Sequence, residues 1–166
     1  MEYHLFEMKA SDWSMVSQIY WEGISTKIAT FQNTLPSWEE WDKGHVATCR
    51  WVAKSGDTVM GWAALSPVSG RCVYSGVAEV SIYIGEKYQG LGIGKALLEK
   101  LIDDSEAHGY WMLQSGIIKE NSASLKLHEK CGFRTVGYRE KLGQMDNGNW
   151  HDIILVERRS QKIGSM

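Results

Sequence analysis

Near residue 85 the chain changes its hydrophobic period, and three alternate glycines mark the change. Before it, residues 73–84 read as a strand, with Val80, Ile82 and Ile84 alternating against Glu79, Ser81 and Tyr83. After it, Ile93, Ala96, Leu97, Leu98, Leu101 and Ile102 recur at helical spacing up to a glycine stop at His108-Gly109. Between the two lie Gly90, Gly92 and Gly94. A glycine in a helix costs about 0.5–1 kcal/mol relative to alanine, so such a run implies a geometric demand: a tight turn, or another group that must come close to bare backbone. A strand that feeds a glycine turn opening onto a helix N-terminus is also the arrangement of an anion site, because unpaired N–H groups and the helix dipole favour phosphate.

Spacing removes two familiar phosphate loops. A triphosphate-binding loop needs glycine five residues before Gly94 and Ser or Thr after Lys95, where this chain has Gln89 and Ala96. A dinucleotide fingerprint would need a third glycine at position 95 or 97, which hold Lys95 and Leu97.

The flanking segments predict a mixed α/β sheet. Residues 3–7 form a first strand, and a helix follows from about Ser11 or Asp12, with Trp13, Val16, Ile19 and Tyr20 on one face. Ser37-Trp38-Glu39-Glu40 is a capping box that starts a short second helix. Residues 50–54 and 58–65 are strands joined by Ser55-Gly56-Asp57, a hairpin connection. Residues 111–118 are a strand, and Asn121 or Ser122 caps a helix ending at Cys131-Gly132. Residues 133–138 and 152–156 supply the last strands, across the turn Asp146-Asn147-Gly148-Asn149. The order implies a mostly antiparallel sheet with a parallel portion beside the glycine turn, flanked by about four helices.

With 166 residues, 43% of them hydrophobic, and no linker or repeat, residues 1–166 fit one domain, with a peripheral tail after about residue 158. The net charge of -2 supplies no bulk attraction for nucleic acid or an anionic membrane. Cys49, Cys72 and Cys131 show neither disulfide-framework nor metal-ligand spacing, which points to free thiols, no metal and a cytoplasmic protein. Eight tryptophans suit core packing first, and a pocket wall or subunit interface second.

Gln89-Gly90-Leu91-Gly92-Ile93-Gly94 resembles the Q/R-x-x-G-x-G/A pyrophosphate loop of the GNAT superfamily of N-acetyltransferases. Glu79-Val80-Ser81-Ile82-Tyr83-Ile84, the run from Asn121 to Phe133, Trp150-His151-Asp152 and the run from Ser25 to Phe31 are similar to its phosphinothricin and methionine sulfoximine acetyltransferase branch. The resemblance spans nearly the whole chain. It implies the GNAT fold, acetyl-CoA as acetyl donor with coenzyme A as product, a small amino-acid-like acceptor, no metal, and a homodimer.

Residue by residue, the resemblance makes Glu79 the general base that takes a proton from the acceptor amine. Ile82, Tyr83 and Ile84 would offer backbone to the pantetheine arm. Gln89, Gly90, Leu91, Gly92, Ile93, Gly94 and Lys95 would hold the pyrophosphate, with Asn121, Ser124 and Lys130 as further cofactor contacts. His128 stands where many members of the superfamily have a tyrosine acid, and is either that acid or a buried structural histidine. Phe31, Arg71, Tyr74, Glu79, Val80 and Ser81 would face the acceptor. Cys72, Val77 and Ala78 depart from the branch, where Thr-Val usually precedes the glutamate. An acetyltransferase for another amine, such as a polyamine or a protein N-terminus, and a non-catalytic acyl-CoA-binding module are the alternatives.

Overall fold

Three consecutive central strands carry the molecule, and the middle one is hidden on both faces. The computed structural model describes residues 2–164. In chain order the elements are β1 (His4–Glu7), α1 (Trp13–Ser25), α2 (Trp38–Gly44), β2 (Trp51–Ser55), β3 (Thr58–Pro67), β4 (Val77–Ile84), α3 (Ile93–Ala107), β5 (Met112–Ile118), α4 (Ser122–Lys130), β6 (Arg134–Gln144) and β7 (Trp150–Arg159). They build one seven-stranded sheet in the order β1-β2-β3-β4-β5-β7-β6. Only β4 and β5 run parallel; every other neighbouring pair is antiparallel. The mixed sheet with its parallel portion is the one the element order predicts.

Along β3, Met60, Ala63 and Leu65 enter a core beneath α3, with Leu97, Leu98 and Leu101. Val59, Trp62 and Ala64 point the other way, toward Val16, Ile19, Tyr20 and Ile24 of α1 and Trp41 of α2. Because successive strand side chains alternate, a strand covered by helices on both faces has no polar side. Tryptophan does much of the packing on the α1 side: Trp41 and Trp62 are buried with ring centroids 5.5 Å apart, and Trp13 and Trp38 lie over Trp41.

Local signals set the ends of the helices. Ser37 Oγ accepts from the Glu40 N–H at 3.2 Å, and the Glu40 carboxylate accepts from the Ser37 N–H at 3.1 Å, closing the predicted capping box. Asp12 belongs to a 3-10 turn before α1, where it accepts from the Lys9 N–H and pairs with Lys54. Gly109 and Gly132, both at positive φ, follow α3 and α4.

Three expectations change. The strand predicted over residues 73–84 begins only at Val77, and Cys72–Tyr74 form an exposed 3-10 turn. Gly76 separates them: its carbonyl accepts from the N–H groups of Trp111 and Met112, and a Cβ there would sit 2.1 Å from the Trp111 ring. Second, β6 and β7 run well past their predicted spans, forming a long hairpin whose outer strand is almost wholly exposed. An edge strand exposed on both faces carries no alternation for the sequence to display. Third, the end segment is tied down as far as Ser160, which is buried, with its N–H on the Trp111 carbonyl.

Candidate functional site

β4 and β5 are paired only at Val77↔Met112, Ala78↔Leu113 and Glu79↔Gln114. Beyond that point β4 continues on β3 as far as Ile84, while β5 continues on β7 as far as Ile118. The sheet therefore splits, and Glu79 stands at the apex of the split. Along residues 80–84, the main-chain groups of β4 that face β5 have no strand partner, so an extended ligand could add to this edge as a strand would.

The alternation of β4 sorts the expected site residues. Val80 is buried, and with Ile82 and Ile84 it packs into the core beneath α3. The side chains of Glu79, Ser81 and Tyr83 take the opposite, α1-side face. Val80 therefore cannot face an acceptor with its side chain, and only its backbone reaches the split. Ile82 and Ile84 have core side chains and a backbone on the open edge, so their packing leaves the main-chain groups free for a ligand. The Tyr83 ring lies between Tyr20 at 4.9 Å and Trp62 at 5.1 Å, and burial raises its hydroxyl above the ordinary tyrosine value.

The glycine turn follows directly. Gly90 and Gly92 have φ of 78° and 80°, and a Cβ on either would meet nothing within 4 Å. Both glycines are thus required by left-handed backbone facing open space. Gly94 differs: it lies in the first turn of α3, where a Cβ would come 3.2 Å from Leu127 of α4, so its smallness serves helix packing. Between them Ile93 is buried and anchors the turn, Leu91 is exposed, and Gln89 and Lys95 are exposed on either side. Lys95 lies 3.8 Å from Glu99. α3 has no side-chain cap, and its first internal bond runs from the Ala96 N–H to the Gly92 carbonyl. The N–H groups of residues 93–95 are left pointing out of a helix end that carries roughly half a positive charge. A pyrophosphate fits this seat.

On the other side of the turn, Asn121 caps α4 by accepting from the Ser124 N–H at 3.3 Å. Ser124 meets His128, whose Nδ1–H donates to the Ser124 carbonyl at 2.8 Å. That bond makes Nε2 the bare nitrogen. It is buried without a hydrogen-bond partner among the described residues, and the ring sits edge-on to Phe133. Burial lowers the His128 pKa, with the bond to Ser124 opposing. Lys130, at the last turn of α4, is exposed and forms no ion pair among the described residues.

The expected acceptor residues fall into two groups. Phe31 packs on Gly143 of β6 and lies 6.4 Å from the ring of His151 of β7, and the same loop is tied to the hairpin by Lys27 and Asp146 at 3.0 Å. The segment after α1 and the β6–β7 hairpin thus lean on each other at the β5 side of the split. Arg71 and Tyr74 lie together in the β3–β4 connection, with the guanidinium 5.7 Å from the ring centroid, and both are exposed. The structure does not bring this pair to Phe31.

Sequence reasoning missed His151 and Gln114 as site neighbours. His151 is buried, with Nδ1 3.3 Å from the Glu120 carboxylate, and Gln114 pairs with Glu79 across the last bonded step of the split. His151 stood within a noted motif; Gln114 carried no signal, because strand pairing is not local in sequence.

The sequence profile described as the acetyltransferase (GNAT) family matches residues 13–133. YwnH of Bacillus subtilis, described as a candidate phosphinothricin acetyltransferase, is 32% identical over 152 residues, covering 89% of this chain and 93% of its own. A Salmonella typhimurium L-methionine sulfoximine/L-methionine sulfone acetyltransferase is 28% identical over 106 residues, covering 64% of this chain and 61% of its own. Among solved structures, a GNAT superfamily phosphinothricin acetyltransferase from Sinorhizobium meliloti, in complex with acetyl-CoA, superposes with a TM-score of 0.86 at 29% identity, covering 96% of this chain and 89% of that one.

Proposed function

The chain belongs to the GNAT family of acetyltransferases, and from that premise we propose that it moves the acetyl group of acetyl-CoA to the α-amino group of a small amino-acid-like acceptor. The observation that carries this reading is the split between β4 and β5, with a carboxylate at its apex and an uncapped helix N-terminus beside its open end. Acetyl-CoA supplies an acetyl thioester on a long amide-bearing arm that ends in a pyrophosphate. The open edge of residues 82–84 meets that arm, and the N–H groups around residues 90–95 meet the pyrophosphate. One main-chain N–H of the β4 edge polarises the thioester carbonyl. Glu79 accepts a proton from the acceptor's ammonium, directly or through water, leaving the amine lone pair free to attack the thioester carbon; as the N–C bond forms the C–S bond breaks, and coenzyme A leaves as a thiolate that takes up the second proton lost by the nitrogen.

Phosphinothricin and methionine sulfoximine or sulfone are the first acceptors, as the names of the relatives suggest. Phe31, packed on Gly143 and beside His151, offers them an apolar wall. The deciding experiment is thiol release from acetyl-CoA across a panel of amino acids, glutamate analogues and polyamines, with mass spectrometry of the product. An acetylated amino-acid analogue is expected. Acetylation confined to polyamines, or thermal stabilisation by acetyl-CoA with no product at all, would overturn the acceptor assignment.

The loop reading has its own test. In Gly92→Val the free turn relaxes away from the left-handed φ that a branched residue resists, and binding must restore it at about 1–2 kcal/mol, so acetyl-CoA affinity should fall about 5–30-fold. Unchanged affinity by calorimetry would remove the turn from the cofactor site.

His128 is assigned a structural role. An unfolded histidine takes up a proton below about pH 6.5, whereas the native His128 and His45 resist it because burial depresses both. Their contribution to stability is complete above about pH 6.5 and is lost as pH falls through the lowered native values. His128→Gln should flatten the acid limb of Tm against pH while keeping the shape of the kcat–pH profile. A profile that loses a limb would make His128 the acid instead.

We further assign residues 1–166 to one acetyltransferase domain that acts in the cytoplasm as a homodimer, without nucleic acid or membrane. Supporting this are the exposed Val136, Tyr138, Leu142 and Trp150 on the β6–β7 hairpin, three free cysteines, and the absence among the described residues of any helix long and apolar enough to cross a membrane. Light scattering on the purified protein reads the assembly.

A further inference from the structure

At the far end of α3 from the glycine turn, three metal-ligating side chains from two parts of the chain converge. Cys49, in the segment leading into β2, is buried, and its Sγ lies 3.8 Å from His108 Nδ1. Asp104 and His108 are one helical turn apart, with Asp104 Oδ1 3.2 Å from the same nitrogen. One ligand atom from each residue falls within 4.8 Å of the other two. We propose that Cys49, Asp104 and His108 form a binding site for a transition-metal dication of the zinc class, with its fourth position open to water.

The separations match that use. With a metal–sulfur bond of about 2.3 Å and metal–nitrogen and metal–oxygen bonds of about 2.0–2.1 Å, a tetrahedral centre sets S···N at about 3.6 Å and N···O at about 3.3 Å. A recess of about 130 Å³ opens beside the cluster, lined by these three residues together with Glu7, Thr48 and Arg50, and leaves room for entry and for a bound water. The carboxylate is already oriented: Trp51 Nε1–H donates to Asp104 Oδ2 at 2.8 Å, leaving Oδ1 toward the imidazole. Such outer partners fix the direction of a metal ligand. The Arg50 guanidinium does not compete, because it is engaged by the Asp42 carboxylate and by the carbonyls of Asp42, His45 and Val46.

On binding, the Cys49 thiol gives its proton to solvent as the sulfur–metal bond forms, and His108 gives up its Nδ1–H bond to the Asp104 carbonyl, the ring proton passing through solvent to Nε2 so that the bare Nδ1 takes the metal. No electrons are transferred. The site clamps the end of α3 to the start of β2 and takes no part in acetyl transfer, since α3 is 15 residues long and holds the two ends about 22 Å apart.

The test is titration of the full chain, stripped with a chelator and kept free of oxygen, with Co²⁺. One equivalent should bind with a thiolate-to-cobalt charge-transfer band and the visible bands of a tetrahedral centre, both lost on adding Zn²⁺. Cys49→Ser should abolish the charge-transfer band, and Cys72→Ser and Cys131→Ser should keep it. Trp51→Phe should weaken Co²⁺ about 10–100-fold, and His108→Ala by more. His108 is partly exposed, so its variant keeps the fold if Cys49→Ser does not; it should retain acetyl transfer while losing the Zn²⁺-induced rise in Tm. Absence of the band in the wild-type chain, its persistence in Cys49→Ser, or unchanged Co²⁺ affinity in His108→Ala would each overturn the proposal.

Discussion

Glu79→Gln is expected to lower kcat/KM for the acceptor about 10²–10⁴-fold while leaving the affinity for acetyl-CoA unchanged. The two halves of this expectation have separate structural causes. The proposed cofactor seat consists of the β4 edge at residues 82–84 and the turn at residues 90–95, which lie further along the chain than Glu79 and its pairing with Gln114. Its side chain instead takes the α1-side face at the last bonded step with β5, where a proton can be accepted from an amine entering the split. Glutamine keeps the shape and removes the basic oxygen. Steady-state kinetics with acetyl-CoA saturating, paired with calorimetry of acetyl-CoA binding, read the two halves. Near-normal turnover by the variant at neutral pH would remove Glu79 as the base, and a large loss of acetyl-CoA affinity would make it a cofactor residue.

The largest effect on stability is expected from Trp62→Ala, about 3–5 kcal/mol. Trp62 is fully buried, stacked on Tyr83 at 5.1 Å and set edge-on to Tyr20 at 5.4 Å and to Trp41 at 5.5 Å. Its removal opens a void beside Tyr83 of β4, and the rigid rings around it cannot collapse to fill the space. At roughly 2–4 °C per kcal/mol for a chain of this size, Tm should fall by roughly 6–20 °C. Acetyl-CoA affinity should drop as well, because Tyr83 loses the ring that fixes its backbone. A fall in Tm of only a degree or two would show that α1 and α2 repack across the gap.

Periodic segments were readable from the chain alone. The alternation at residues 80–84, the helical face from Ile93 to Ile102 and the Ser37–Glu40 capping box each announce their element, because burial of one face or satisfaction of a helix end leaves a local trace. The glycine turn was readable as a turn into a helix, but not the division of labour within it: Gly94 shares the spacing of Gly90 and Gly92, and only the approach of Leu127 from α4 tells it apart. Val80 shows the opposite failure, since adjacency to Glu79 in sequence puts its side chain on the opposite face of the sheet. The outward position of Cys72–Tyr74 depended on Trp111, nearly forty residues along the chain. The Cys49, Asp104 and His108 group has no recognisable spacing, because two of its members share a helix and the third comes from the approach to a strand.

The short parallel seam between β4 and β5 also has a mechanical meaning. It makes the sheet two leaves, β1 to β4 and β5 to β7, whose ladder bonds meet along a spine only three residue pairs long, while the core beneath α3 holds side chains of both. The split is therefore an opening in a fixed frame: main-chain groups are bare along it, and the side chains behind it are packed. Glu79 stands on the spine, so the proposed base is held at the one point of the split where the ladder is closed.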